Sequence, residues 1–132
     1  MSFPYCISIN SSYIYEQSTD ERINQNDAAI TLAHELGHYL GLRHVFSEGG
    51  TTSMCTDTDY CKDTPSYNRS EYEQWLNNLD KQNKYQLKDL AKRYSCEKGE
   101  YEAHNIMDYA YCFYNEITLE QRKRIRHILN YS

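Results

Sequence analysis

The sequence predicts an α+β domain that is mostly helical, and three observations carry that prediction. Apolar residues recur at intervals of three and four over residues 28–40 and again over 71–95, the period of helical faces turned toward a core. Residues Tyr5 to Asn10 alternate Tyr5, Ile7 and Ile9 against Cys6, Ser8 and Asn10, the period-two pattern of a half-buried strand. Thr118-Leu119-Glu120-Gln121 is a capping box, threonine at N-cap and glutamine at N3, and it opens a last helix.

At 132 residues the chain is long enough for one domain with a modest core. Its 14 basic and 19 acidic side chains leave a net charge of -5, which argues against a general nucleic-acid or anionic-membrane binder. No stretch approaches the roughly 18 to 20 apolar residues that span a bilayer. Met1-Ser2-Phe3-Pro4-Tyr5-Cys6 has neither a basic n-region nor an apolar run, so a secretion signal lies upstream or the protein stays inside. The fourteen tyrosines are scattered through a polar chain and read as packing residues. A monomer is expected.

In chain order, the strand at 5–10 continues through Tyr13 to Tyr15, and Gln17 to Arg22 form a polar loop. Asn24 to Asp27 supply caps for a largely buried helix that carries Ala28, Ile30, Leu32, Ala33, Leu36, Tyr39 and Leu40. Beyond His44 the chain turns irregular, with Gly49-Gly50 and an acidic run of Asp57, Asp59 and Asp63. Clustered carboxylates on such a loop are candidate calcium ligands, although the spacing fits no EF-hand and solvated loop acids are the default. Ser70 caps a segment from Glu71 to about Ser95, read as one helix or as two joined near residue 83. Trp75, Leu76, Leu79, Leu87, Leu90, Ala91 and Tyr94 form its core stripe. The last helix turns Ile125, Ile128 and Leu129 inward and leaves Arg122-Lys123-Arg124 and Arg126-His127 as a solvated face. Sequons at Asn10, Asn68 and Asn130 matter only in a eukaryotic secretory pathway.

The stretch His34-Glu35-Leu36-Gly37-His38-Tyr39-Leu40-Gly41-Leu42-Arg43-His44 carries the chemistry. Residues four apart share a helix face, so His34 and His38 can present ring nitrogens to one zinc ion at about 2.0–2.1 Å. A straight helix would carry residue 44 past the ion. Gly41, free to take positive φ, ends the helix in a left-handed cap and turns His44 back. Three protein ligands leave a fourth position for water, whose pKa zinc lowers to about 7, and Glu35 is placed to take its proton as it attacks a peptide carbonyl. The bland alternative, three solvated or core histidines, requires no such spacing. Four of the five cysteines, Cys55, Cys61, Cys96 and Cys112, flank the irregular region. That distribution points to two disulfides and an oxidising compartment, so the protein is expected to be secreted, periplasmic or at the cell surface. Buried free thiols are the alternative, and the absence of a C-x-x-C pair disfavours a Cys₄ zinc knuckle.

Asn105-Ile106-Met107-Asp108-Tyr109 lies about sixty residues after His44, and together the two motifs resemble the metzincin metalloproteases. Within that group the chain resembles the pappalysin, or cytophagalysin-like, M43-type family. The likeness rests on residues 34–46, Asp63-Thr64-Pro65, residues 105–109, the cysteine that follows, and Ile117-Thr118 with Gln121. It implies one metzincin-like catalytic domain over 1–132, with a reduced upper subdomain (1–44) and a lower subdomain (45–132). It also implies zinc-dependent endopeptidase activity on proteins or peptides, Met107 as a hydrophobic floor in a Met-turn, and Tyr109 as an aid to the oxyanion. By the same resemblance Cys55 pairs with Cys96 and Cys61 with Cys112, leaving Cys6 single. Three features depart from the family. The upper sheet is short, 67–95 is longer and more helical than expected, and Tyr111 stands where arginine-selecting members carry an acid, so arginine preference does not carry over. The alternative functions are a truncated or non-catalytic zinc module that binds a partner, or a cytosolic regulator with free thiols.

Overall fold

A computed structural model describes residues 28–46, 56–82, 85–97, 99–108 and 111–131, together with Ile7. The expected strand at 5–10, its continuation and the caps at 24–27 lie outside the described residues, Ile7 apart.

Helix α1 runs Ala28–Tyr39 and ends as its sequence requires. Gly41 sits at φ 88°, its N–H bonds to the His38 carbonyl, and the Leu42 N–H reaches back to Gly37, both at 2.9 Å. These two bonds make a Schellman cap, which satisfies the last carbonyls and redirects the chain. The helix is less buried than its apolar content suggested. Leu32, Leu36 and Tyr39 are 47%, 43% and 48% exposed, because the core meets α1 on a narrow face centred on buried Gly37.

Helix α2 runs Arg69–Gln82. Its cap is Asn68, whose Oδ1 accepts the Glu71 N–H at 3.1 Å, and not Ser70. Asn68 is itself buried, so its sequon is not open to glycosylation in the folded chain. The helix does not continue to Ser95. Gln86 and Asp89 cap a short 3-10 turn, Leu87–Ala91, and a hairpin follows. Its strands are β1, Lys92–Ser95, and β2, Gly99–Glu102, antiparallel with Arg93 opposite Tyr101. The apolar spacing of Leu87, Leu90 and Ala91 fits a single 3-10 turn as well as a helix. The deciding residue is Arg93, fully buried on a strand whose neighbours Lys92 and Tyr94 face out, with its side chain reaching Tyr111 and Asp108.

Helix α3, Leu119–Tyr131, opens on the predicted box. The Gln121 N–H donates to Thr118 Oγ1 at 3.2 Å and the Thr118 N–H to Gln121 Oε1 at 2.9 Å. Ile125 packs on the core, whereas Ile128 and Leu129 are exposed. Arg124, expected in solvent, donates Nε–H to the Gly41 carbonyl at 2.7 Å and so ties α3 to the end of α1. The core is Leu42, Val45, Phe46, Tyr67, Tyr72 and Met107, with Trp75, Leu76, Tyr101, Ile106 and Ile125 packed against it. It lies where the exit of α1, the start of α2 and the 105–108 turn meet.

Candidate metal centre

The structure brings His34, His38 and His44 together, with ligand atoms all within 4.8 Å of one another. His34 Nδ1 lies 2.7 Å from the Ile106 carbonyl oxygen and His38 Nδ1 lies 3.0 Å from that of Leu42. A carbonyl only accepts, so both Nδ1 atoms carry the hydrogen and both Nε2 atoms present lone pairs. His44 Nε2 faces each of those lone pairs at 3.1 Å, and one proton on it would serve only one of them. A single cation serves all three. A tetrahedral ion about 2.0–2.1 Å from each nitrogen would set them about 3.3 Å apart, close to the observed spacing. Burial holds the His34 imidazole below its ordinary pKa, with the charges of His38 and His44 adding to the effect, and the neutral ring is the form that ligates. Glu35 follows His34 on α1, half-buried, and its negative charge acts on that ring.

Met107 is fully buried in the turn that Asp108 N–H closes onto the Asn105 carbonyl at 3.1 Å. Asn105 Oδ1 accepts the Met107 N–H at 2.9 Å, and the Asn105 amide pairs with Gln121 through two bonds of 2.8 and 3.0 Å. A Cβ placed at Gly37 would lie 2.4 Å from Met107 Sδ, so the thioether sits directly against the helix that carries two of the histidines. Tyr109 lies outside the described residues. Sequence reasoning missed the packing behind His44. Phe46 stacks on its ring at 4.8 Å and 12°, and Arg69 at the start of α2 lies over Phe46 at 4.9 Å. The hint was present in the aromatic residue two positions after the third histidine.

The acids of the irregular loop are not gathered as a cation site. Asp57 Oδ1 accepts the Asp59 and Tyr60 N–H groups, and Asp63 Oδ2 accepts the Glu120 N–H at the start of α3. Asp59 turns inward, accepting the Cys61 N–H at 2.9 Å with the Thr64 hydroxyl 2.5 Å from its other oxygen. The carboxylates cap turns and a helix, and calcium has no support here. Burial raises Asp59 to about 7. A carboxyl raised above its unfolded value of about 3.9 keeps its proton in the folded state, so its contribution to stability falls as pH rises from about 4 to about 7. Asp59→Asn should therefore gain melting temperature relative to wild type across that window and match it most closely below pH 4, as calorimetry at fixed pH would show.

The cysteine expectation is corrected in part. Cys61 and Cys112 are free and buried. The Cys112 thiol lies 3.3 Å from the Asn105 carbonyl, and burial raises the two thiols to about 11 and about 12. Both thiols therefore stay protonated at neutral pH. Cys96 is disulfide-bonded, and its expected partner Cys55 lies outside the described residues.

Residues 5–130 match the family model described as pregnancy-associated plasma protein-A, peptidase M43. The chain belongs to the M43 peptidase family. Relatives of this M43 chain include proteins named extracellular metalloprotease from Arthroderma benhamiae and Trichophyton verrucosum. Each is 37% identical over 108 residues, covering 80% of this chain and 32% of the relative. A third, from Arthroderma otae, is likewise 37% identical over 108 residues, covering 80% of this chain and 33% of its own length. The M43 chain thus spans about a third of the length of these relatives. No solved structure matches it. No helix among the described residues is long and apolar enough to cross a membrane.

Proposed function

We propose that this M43 chain is the single catalytic domain, residues 1–132, of a secreted zinc endopeptidase that hydrolyses peptide bonds in protein substrates. The carrying observation is the convergence of three imidazole lone pairs, two of them oriented by backbone carbonyls. His34, His38 and His44 hold the ion. Zinc in this setting supplies Lewis acidity, which acidifies water and polarises a carbonyl. Glu35 accepts the proton of the attacking water and returns it to the departing amine nitrogen. The 105–108 turn is the Met-turn of a metzincin, with Met107 as the floor under the ligands, and Tyr109 steadies the oxyanion. The family assignment and the names of the fungal relatives support peptide hydrolysis and secretion.

Zinc-loaded protein should cleave an unfolded protein such as reduced casein, and a chelator should abolish that cleavage. Restoring stoichiometric zinc should restore it. A zinc-loaded, folded chain with no cleavage would instead favour a non-catalytic zinc module.

A further inference from the structure

Arg93 is fully buried, yet nothing in the hydrolytic reading uses it. Its Nη1 donates to the Leu90 and Lys92 carbonyls at 2.9 and 3.1 Å, and its Nη2 to the Tyr111 carbonyl at 2.8 Å. The guanidinium lies 3.8 Å from the Tyr72 ring centroid and 5.1 Å from that of Tyr67. Its counter-charge is Asp108, equally buried, with Arg93 Nε 3.4 Å from Asp108 Oδ2. The Tyr67 hydroxyl donates to the other carboxylate oxygen at 2.6 Å. A buried ion pair adds little net stability compared with apolar packing, because desolvation offsets the attraction. Arg93 Nε has no hydrogen-bond partner among the described residues, so the pair is held by charge while the carbonyl bonds fix the guanidinium, and the carboxylate it faces belongs to the turn beside the histidines.

Asp108 closes the 105–108 turn through its own N–H. That turn presents the Ile106 carbonyl to His34 Nδ1, sets Met107 against Gly37, and offers the Met107 carbonyl to the Val45 N–H next to His44. Arg93 also holds the Tyr111 carbonyl, so it grips the chain before and after residues 109–110. We propose that Arg93 is a positioning residue of the metal centre. Through Asp108 it fixes the turn whose carbonyl sets the tautomer and orientation of His34, so the hairpin formed by 92–102 serves the metal centre. Groups that orient a metal-ligating imidazole are commonly worth 10- to 100-fold in metal affinity.

The inference rests on the metal reading above, and the test separates the two. Zinc affinity is measured by competition with a chromophoric chelator for wild type, Arg93→Met and Tyr67→Phe. The measurement is made well below each protein's melting temperature, with helix content checked by circular dichroism. In the metal-free proteins, ¹⁵N-edited spectra of the imidazoles report the His34 tautomer. Arg93→Met should weaken zinc binding by about tenfold or more and lose the uniform Nδ1–H form of His34. Tyr67→Phe keeps the ring and removes one bond to Asp108, and it should show a smaller loss in the same direction. A folded Arg93→Met protein with wild-type affinity and tautomer, changed only in melting temperature, overturns the inference. Should Arg93→Met not fold, unchanged affinity and tautomer in Tyr67→Phe overturns it. If wild type binds no zinc, the metal reading fails, and the His34 tautomer alone decides the role of Arg93.

Discussion

Glu35→Gln is expected to lower kcat/KM for peptide hydrolysis by about 10²–10⁴-fold, while the zinc content of the protein stays at one ion. A thousandfold loss corresponds to about 4 kcal/mol of transition-state stabilisation. The expectation follows from placement. Glu35 is adjacent to His34 on α1 and half-buried, and it is not among the three residues whose ligand atoms converge. An amide of the same shape keeps the packing and removes the proton acceptor, so KM should move little and kcat should carry the loss. Steady-state kinetics on a fluorogenic peptide, paired with metal analysis of the same samples, checks both halves. A Glu35→Gln protein that keeps its zinc and more than about a tenth of the wild-type rate would remove Glu35 from the proton-transfer role.

The histidine cluster of the candidate site was legible because its rules are local. His34 and His38 follow from helical spacing, and the return of His44 follows from one glycine with a defined backbone conformation, observed at φ 88°. The opening of α3 was equally legible, since Thr118 and Gln121 satisfy each other within one turn. What failed was decided at long range. The apolar spacing of 87–94 suits a helix, but Arg93 finds its partners at Tyr111 and Asp108 from a strand paired with β2. In the same way Leu32, Leu36 and Tyr39 look like core residues until the described fold is seen to cover only the Gly37 side of α1. Asp57, Asp59 and Asp63 resembled cation ligands because composition does not reveal which backbone N–H groups a carboxylate will find.

Gly37→Ala is expected to damage the histidine cluster as well as stability, and the comparison with Gly41→Ala shows why. At Gly41 an added Cβ meets left-handed strain, about 1–2 kcal/mol for an L-residue. It also lies 2.8 Å from Ile128 Cγ1, but Ile128 is 37% exposed and can swing aside. At Gly37 the backbone is ordinary helix, where alanine alone would gain about 1 kcal/mol in propensity. The methyl nevertheless lands 2.4 Å from Met107 Sδ and 3.5 Å from Leu42 Cδ1, and Met107 is 0% exposed with its backbone held by Asn105 and Val45. Fully buried, the thioether yields by repacking against the 105–108 turn, and that turn carries the Ile106 carbonyl beside His34 Nδ1. Overpacking of this kind costs about 1–3 kcal/mol, which cancels the propensity gain at the low end and outweighs it above that. The distinguishing result is a double loss: Gly37→Ala should fall in both melting temperature and zinc affinity, and in a double-mutant cycle Gly37→Ala/Met107→Ala should lose less than the sum of the two single losses, because the second change vacates the clashing volume. Gly41→Ala should recover on shortening Ile128 only in part, since the strain at φ 88° persists whatever the neighbour. If Gly37→Ala melts at or above wild type and binds zinc as tightly, Met107 is not wedged beneath the histidine helix and the site lacks the floor assigned to it.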